Sequence, residues 1–440
     1  MPKQKIAAEQ KNNKEQFVTG GAAVDFRDSW RIFKIMSEFV EGYEFLGKIE
    51  REVTVLGSAR LPMNSKYYKI AEELGRLLGK NKFTTITGGG PGIMEAANKG
   101  AFETGGESVG LNIQLPFEQR INPYVKKYAG FYYFFTRKVM LTSPANAFVF
   151  FPGGFGTLDE FFEVVDLMEL GHMDKSPVIM VGKEFWQPIF DFLRKKSAGE
   201  AHSIGDLDIK NLHLVETAEE ALEFVKDTQD RPNLCVDMSC KGVDWKIFRI
   251  MAELVDGFEF ITKLSNNVTI LGTKSILPGS SYYQAAYEAG KVLAQNKYSV
   301  VTGGGPGIME AVNKGAFETG GESIGINMRF DRGERFNNYL TKSIGFYFHF
   351  VRKLMITSPA KAFVFFPGGF GTMHQLFEML TLLETKKIKP IPILLYGKEF
   401  WQPLLDFIHT LSADFKTIGR VDEDYIRVIN RPEEIIQFIK

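Results

Sequence analysis

Cysteine is nearly missing from this chain, which carries only Cys235 and Cys240 in 440 residues. Two thiols cannot build a disulfide framework, and no further ligands stand beside them for a metal site. They are expected to be incidental thiols in a reducing compartment. Net charge is missing too: Lys+Arg and Asp+Glu each total 53. Bulk electrostatics therefore suggest neither nucleic acid nor an anionic membrane as a partner. No apolar run reaches transmembrane length, and the opening MPKQKIAAEQKNNKEQ lacks a secretory apolar core. The expectation is a cytoplasmic protein. The composition is otherwise that of ordinary globular domains, with 44% hydrophobic and 13% aromatic residues.

What the sequence does hold is a repeat. Thr87–Asn112 (TGGGPGIMEAANKGAFETGGESVGLN) returns as Thr302–Asn327 (TGGGPGIMEAVNKGAFETGGESIGIN), 215 positions later with three conservative changes. The same shift maps Pro152–Thr157 (PGGFGT) onto Pro367–Thr372, Arg137-Lys138 onto Arg352-Lys353, and Trp30 onto Trp245. A unit this long buries its own core, so the chain reads as a duplicated domain rather than a solenoid. The expected organisation is a polar, disordered segment over 1–24, a first copy over 25–230, a linker over 231–238 and a second copy over 239–440.

Within copy one, short β-branched or aromatic runs alternate with helical patterns. Strands are expected at Val53–Leu56, Thr84–Thr87, Val109–Ile113, Phe148–Phe151, Val178–Val181 and Leu212–Val215. Helices are expected over Asp28–Phe45, Tyr67–Gly79, Ile93–Thr104, Phe131–Leu141, Leu158–Leu170, Phe185–Arg194 and Ala218–Lys226. Runs buried on both faces and separated by helices indicate an α/β fold. Each copy should be a Rossmann-like, doubly wound, mostly parallel sheet with helices on both faces. Ligands in such sheets bind at the carboxyl ends of the strands.

Two glycine-rich turns sit where a strand should end and a helix begin. They are Gly88-Gly89-Gly90-Pro91-Gly92 and Gly153-Gly154-Phe155-Gly156-Thr157. Glycines let backbone approach a ligand, and the free N–H groups of the next helix attract an anion such as phosphate. Tight turns with no ligand are the competing account. The dinucleotide fingerprint is absent, since its third glycine position falls on Ile93 or Glu95, and no Walker lysine follows.

GGGPGIMEAANKGA, a Phe/Tyr-rich helix with Arg137-Lys138, and PGGFGTLDE together resemble the Lonely Guy (LOG) family of nucleoside 5′-monophosphate phosphoribohydrolases. The resemblance covers both copies. Members are often labelled lysine decarboxylases, but no lysine here stands in a recognisable Schiff-base context. The resemblance implies cleavage of a nucleoside monophosphate, of the AMP or cytokinin-nucleotide type, to free base and ribose 5-phosphate. It implies no cofactor and no metal. Gly153, Gly154, Gly156 and Thr157 would hold the 5′-phosphate, Arg137 would orient the substrate, and Glu160 would assist the chemistry. A carboxylate there stabilises the positive ribose or activates water. Gly57, Ser58, Gly88, Gly89, Gly90, Gly92, Glu95 and Lys138 complete the expected substrate contacts.

Simpler roles compete with several of these. Arg137 and Lys138 fit a solvated helix face, and Phe131–Phe135 fits core or subunit contact. Glu95 fits a helix-dipole partner. Thr157-Leu158-Asp159-Glu160 is itself a Thr-x-x-Glu capping box, which needs no catalysis. Copy two bears on that point, because its run is Thr372-Met373-His374-Gln375. A cap accepts Gln as readily as Glu, whereas chemistry needing a negative charge does not. Copy two therefore reads as a binding-only relative, with Gly303, Gly304, Gly305, Arg352, Gly368, Gly369, Gly371, Thr372 and Gln375 as its contacts. Three readings stay open: a hydrolase with one competent site, a non-catalytic nucleotide sensor, and a hydrolase regulated through copy two. LOG-like proteins form homodimers, so the two copies are expected to pack as an intramolecular pseudo-dimer. The contact should use Phe131–Leu141, Phe346–Ile356 and the helix after each PGGFGT, and intact chains pair further only by analogy.

Overall fold

The computed structural model describes residues 27–114, 121–204, 211–228, 243–329, 336–419 and 426–439. The expectations for 1–24, for the 231–238 linker and for the two cysteines fall outside these residues. Copy one runs α1 (Arg27–Leu46), β1 (Glu52–Leu56), α2 (Lys66–Lys80), β2 (Thr84–Thr87), α3 (Ile93–Glu103), β3 (Ser108–Ile113) and β4 (Lys127–Phe131). It continues with α4 (Phe134–Thr142), β5 (Ala147–Phe150), α5 (Phe155–Glu169), β6 (Val178–Val181), α6 (Lys183–Phe192), β7 (Leu212–Val215) and α7 (Ala218–Lys226). A π-helical turn, Leu193–Glu200, extends α6.

Copy two repeats the order. It opens with α8 (Val243–Thr262), β8 (Asn267–Leu271), α9 (Ser281–Gln295), β9 (Ser299–Thr302), α10 (Ile308–Glu318), β10 (Ser323–Met328) and β11 (Lys342–Phe346). There follow α11 (His349–Thr357), β12 (Ala360–Phe365), α12 (Phe370–Glu384), β13 (Ile393–Tyr396), α13 (Lys398–Ala413), β14 (Ile426–Ile429) and α14 (Ile435–Ile439).

Each copy is a seven-stranded sheet, ordered β4-β3-β2-β1-β5-β6-β7 and β11-β10-β9-β8-β12-β13-β14, with every pairing parallel. The strand order reverses between β1 and β5, so the crevice above their carboxyl ends is the expected binding place. The central strands β1, β2, β5 and β6 are buried along their whole length. This explains their unbroken apolar or Thr-rich runs.

Two expectations need correction. Phe131 and Phe346 end strands instead of opening helices, which start at Phe134 and His349. Strand β4 escaped notice because it is an edge strand, KYAGF, buried only at its last residue. Helix α5 also begins at Phe155 and not at Leu158, with Gly154 at its N-cap and no side-chain cap hydrogen bond. Thr157 therefore lies inside the first turn, and the capping-box account of Glu160 fails.

The copies share one core across a pseudo-two-fold axis. Equivalent residues touch each other: Phe162 stacks on Phe377 with centroids 5.3 Å apart, and Phe135 stacks on Phe350 at 6.0 Å. Off-axis contacts come in reciprocal pairs, Phe185 with Phe407 and Phe192 with Phe400. That reciprocity is the signature of an isologous contact, here made within one chain. Helices α4, α5, α11 and α12 supply its centre, as the repeat suggested.

Candidate functional site

Three loops meet at the β1/β5 crevice, and Ser58 ties them together. Its N–H donates to Pro152 O at 3.0 Å, its carbonyl accepts from Ile93 N at 3.0 Å, and its hydroxyl accepts from Arg60 N at 3.1 Å. The first glycine loop is fixed from below. Thr87 Oγ1 donates to Asn98 Oδ1, and Asn122 Nδ2 donates to Gly89 O, Gly90 O and Asn98 Oδ1. Gly89 needs its positive φ of 71° and lies against the Gly110 backbone. Sequence reading missed Asn98 and Asn122, though both recur as Asn313 and Asn337.

Helix α4 presents Arg137. Its N-terminus is satisfied not by its own side chains but by Glu38 of α1, which accepts from Tyr132 N, Tyr133 N and Thr136 Oγ1. Glu253 does the same for α11, accepting from Tyr347 N and Phe348 N. A carboxylate there also complements the helix dipole. From this fixed helix Arg137 Nη2 reaches Glu160 Oε1 at 3.3 Å.

The first cavity, about 390 Å³, is lined by Gly57, Ser58, Gly88, Phe134, Arg137, Gly154, Gly156, Thr157, Asp159 and Glu160. Copy two completes it with Thr381, Glu384, Thr385, Lys386 and Thr417. Arg60 spans the junction, its Nη2 donating to Glu384 Oε1 at 2.8 Å. Glu160 is buried, and burial pushes its pKa above the usual value while Lys138 and Arg137 pull it back. Its Oε2 and the Arg137 Nε have no hydrogen-bond partner. A half-satisfied buried pair on a cavity wall is a natural seat for a polar ligand.

Several predicted contacts lie elsewhere. Gly89, Gly90, Gly92 and Gly153 do not line the cavity; Gly92 closes against the Ser58 carbonyl, and Gly153 packs on Thr157. Glu95 stands beside Tyr68, whose pKa burial and this charge raise to about 12; in copy two Tyr283 OH donates to Glu310. Lys138 is not free for substrate. It is buried with Asp159 Oδ1 at 2.7 Å and Glu163 Oε2 at 3.2 Å. Burial alone would lower its pKa, but Asp159, Glu163 and Glu378 outweigh this and raise it well above the ordinary value.

That lysine belongs to a charge cluster on the axis. Lys353 reaches Glu163 at 3.4 Å, Glu378 at 3.3 Å and His374 Nε2 at 2.6 Å. Glu163 is thus shared by both lysines and held below its ordinary pKa, since they outweigh its burial. Burial raises Asp159 to about 8, with Lys138 opposing, a shift toward its neutral form. His374, its counterpart, is held well below its ordinary pKa by burial and by Lys353. Burial thus shifts both equivalent positions toward the neutral form, and His374 lies off the cavity walls.

The second cavity, about 650 Å³, is lined by Gly303, Gly305, His349, Arg352, Gly369, Gly371, Thr372 and Gln375, with Asp166, Glu169, Leu170 and Ser203 coming from copy one. Gly304 and Gly368 face away from it, Gly304 against the Gly325 backbone and Gly368 against Thr372. Arg352 Nε donates to Ile326 O, unlike its free counterpart in Arg137.

The chain matches the family model described as "Possible lysine decarboxylase" over residues 94–225 and again over 309–439. It is 27% identical over 146 residues to the cytokinin riboside 5′-monophosphate phosphoribohydrolase of Rhodococcoides fascians, a match spanning 32% of this chain and 74% of that protein. An Arabidopsis thaliana protein of the same description is 27% identical over 169 residues, 37% of this chain and 76% of its own. Among solved structures, the molybdenum cofactor carrier protein of Chlamydomonas reinhardtii is 23% identical, with 40% of this chain and 96% of that one aligned at a TM-score of 0.32.

Proposed function

The chain belongs to the Lonely Guy family, described as possible lysine decarboxylases, and from that premise we propose that its first copy hydrolyses the N-glycosidic bond of a nucleoside 5′-monophosphate. The substrate is of the AMP or cytokinin-nucleotide type. The C1′–N bond breaks, its electron pair leaves with the base, and the base takes up a proton. The hydroxide of water joins C1′, giving ribose 5-phosphate. The observation that carries the reading is Glu160, a buried carboxylate on the cavity wall with one oxygen on Arg137 and the other unpartnered.

Each neighbour has a role in that chemistry. The free N–H groups at the start of α5 and the Thr157 hydroxyl hold the 5′-phosphate. Arg137, always charged and fork-shaped, orients Glu160 and meets ribose hydroxyls. Glu160 stabilises the positive charge that grows on the ribose as the base departs, or takes a proton from the attacking water. Burial of its carboxylate strengthens either effect. Copy two has Gln375 at this place and does not cleave.

The decarboxylase description draws no support from the lysines near the site. Lys138 and Lys353 are buried among carboxylates, and a Schiff base needs a free, unprotonated amine. The test is incubation of the full chain with a panel of nucleoside 5′-monophosphates, scoring released base. Base release that disappears in Glu160→Gln is the expected result. Binding without cleavage of any member would replace the hydrolase with a nucleotide sensor.

A further inference from the structure

Among the differences between the copies around the second cavity, four fall on the helices that meet at the axis. Phe134, Asp159 and Glu160 become His349, His374 and Gln375. The fourth crosses the axis: Thr381, which copy two lends to the first cavity, corresponds to Asp166, which copy one lends to the second. Asp166 Oδ1 lies 2.9 Å from where a Cβ on Gly371 would stand, against the first turn of α12. Its Oδ2 is 3.4 Å from His349 Nε2 and 3.5 Å from His374 Nδ1. In the first cavity the matching point on Gly156 meets only the Thr381 methyl at 3.8 Å.

We propose that the second cavity is a binding site for uncharged nucleosides, closed to nucleoside 5′-monophosphates by the carboxylate that copy one places at the N-terminus of α12. The inference rests on the nucleotide reading of the glycine loops given above. A carboxylate at a helix N-terminus already occupies the positive end that a phosphate would use, and a phosphate beside it meets like charge. Gln375 is buried on the cavity wall, and its Nε2 has no partner, leaving a donor for a heterocycle or a sugar hydroxyl. His349, held neutral by burial and by Lys353 and Arg352, adds a polar group without charge.

The groups facing Asp166 are Glu163 and Glu169 on its own helix, His349, Arg352 and Lys353 from α11, and His374 from α12. Burial, with Glu169, holds its carboxyl up at about 7. At pH 8 it is therefore mostly ionised, and a phosphate enters only after it takes up a proton. That requirement lowers phosphate affinity about tenfold at pH 8.

The experiment is calorimetric titration of the full chain at pH 8 with ribose 5-phosphate and, separately, with adenosine, guanosine, cytidine and uridine. None of these probes offers the bond-and-phosphate pair that turnover needs. Wild type should bind one ribose 5-phosphate, lost in Arg137→Ala. Asp166→Thr, which installs the first cavity's residue, should gain a second site, as should Asp166→Asn, which keeps the shape without the charge. At least one nucleoside should bind wild type and Arg137→Ala alike and be lost in Arg352→Ala. Two equal ribose 5-phosphate sites in wild type, no gain in either Asp166 variant, or no nucleoside binding overturns the proposal. Failure of the first-site reading shows up differently, as no base released from any monophosphate.

Discussion

Glu160→Gln separates a catalytic carboxylate from a structural one. The chain carries its own control for stability, because copy two holds Gln375 at the equivalent place on the equivalent helix. The substitution gives up a 3.3 Å charge-assisted contact with Arg137 and removes a buried charge. These terms oppose one another, and the net change in stability should stay within about 1 kcal/mol. Catalysis has no such offset. An amide neither takes a proton nor opposes positive charge on the ribose, so turnover should fall about 10²–10⁴-fold. The assay pairs base release at saturating nucleoside monophosphate with a thermal melt of the same sample. The wild-type acid limb of kcat/KM should lie above the ordinary glutamate range, because burial raises Glu160 and activity needs it ionised. A variant with an unchanged melt and turnover within tenfold of wild type would refute the role assigned to Glu160.

Other expectations follow from the same geometry. Arg137→Ala leaves the buried Glu160 charge unpaired, so it should cost roughly 3 kcal/mol of stability and reduce kcat/KM at least 100-fold; retention of either value removes Arg137 from the site. Asp159 is raised to about 8 in the folded chain, so its contribution is full below the unfolded value near 4 and is lost as pH rises through 8. Asp159→Asn should flatten that decline in chemical denaturation between pH 4 and 8, and an unaltered slope argues against a protonated Asp159. Residues 1–230 expressed alone would expose Phe155, Phe162, Phe185 and Phe192, all buried against copy two or beside it. At about 2 kcal/mol each this approaches a whole domain's stability. The fragment should aggregate or self-associate by light scattering, and a stable, fully active monomer would sink the shared-core account.

How much of this was legible in the sequence depended on whether a residue's partners were close along the chain. The repeat, the buried strands and the two glycine loops are local patterns, and they placed the fold and the β1/β5 crevice. Arg137 and Glu160 stood out by motif, and the structure brings them to one ion pair. Lys138 misled because it stands beside Arg137 in the motif, although successive helix positions point about 100° apart; Arg137 faces the cavity and Lys138 the axis. The Thr-x-x-Glu pattern misled because Gly154, the residue just before Phe155, caps the helix with its backbone carbonyl alone, leaving the threonine inside the first turn. Thr381, Glu384 and Asp166 were out of reach altogether. Each acts on the copy it does not belong to, and nothing local marks such a residue.

That crossing explains what the duplication permits. In a homodimer every substitution appears in both sites, and an aspartate at position 166 would face both glycine loops. Joined in one chain, Asp166 serves only the second cavity and Thr381 only the first. The same holds on the axis, where Asp159 and His374 are equivalent positions, one raised and the other lowered by burial toward its neutral form. The lysine pair needs this arrangement, because Glu163 and Glu378 balance Lys138 and Lys353, and a further fixed charge would stand uncompensated in the core. Burial that favours the neutral form at each equivalent position serves that balance, while an aspartate in one copy and a histidine in the other leave the two sites chemically distinct. Asymmetry is thus available only in the residues around the shared network. The four exchanges named above, Phe134 for His349, Asp159 for His374, Glu160 for Gln375 and Asp166 for Thr381, fall on α4, α5, α11 and α12, the helices that meet on the axis.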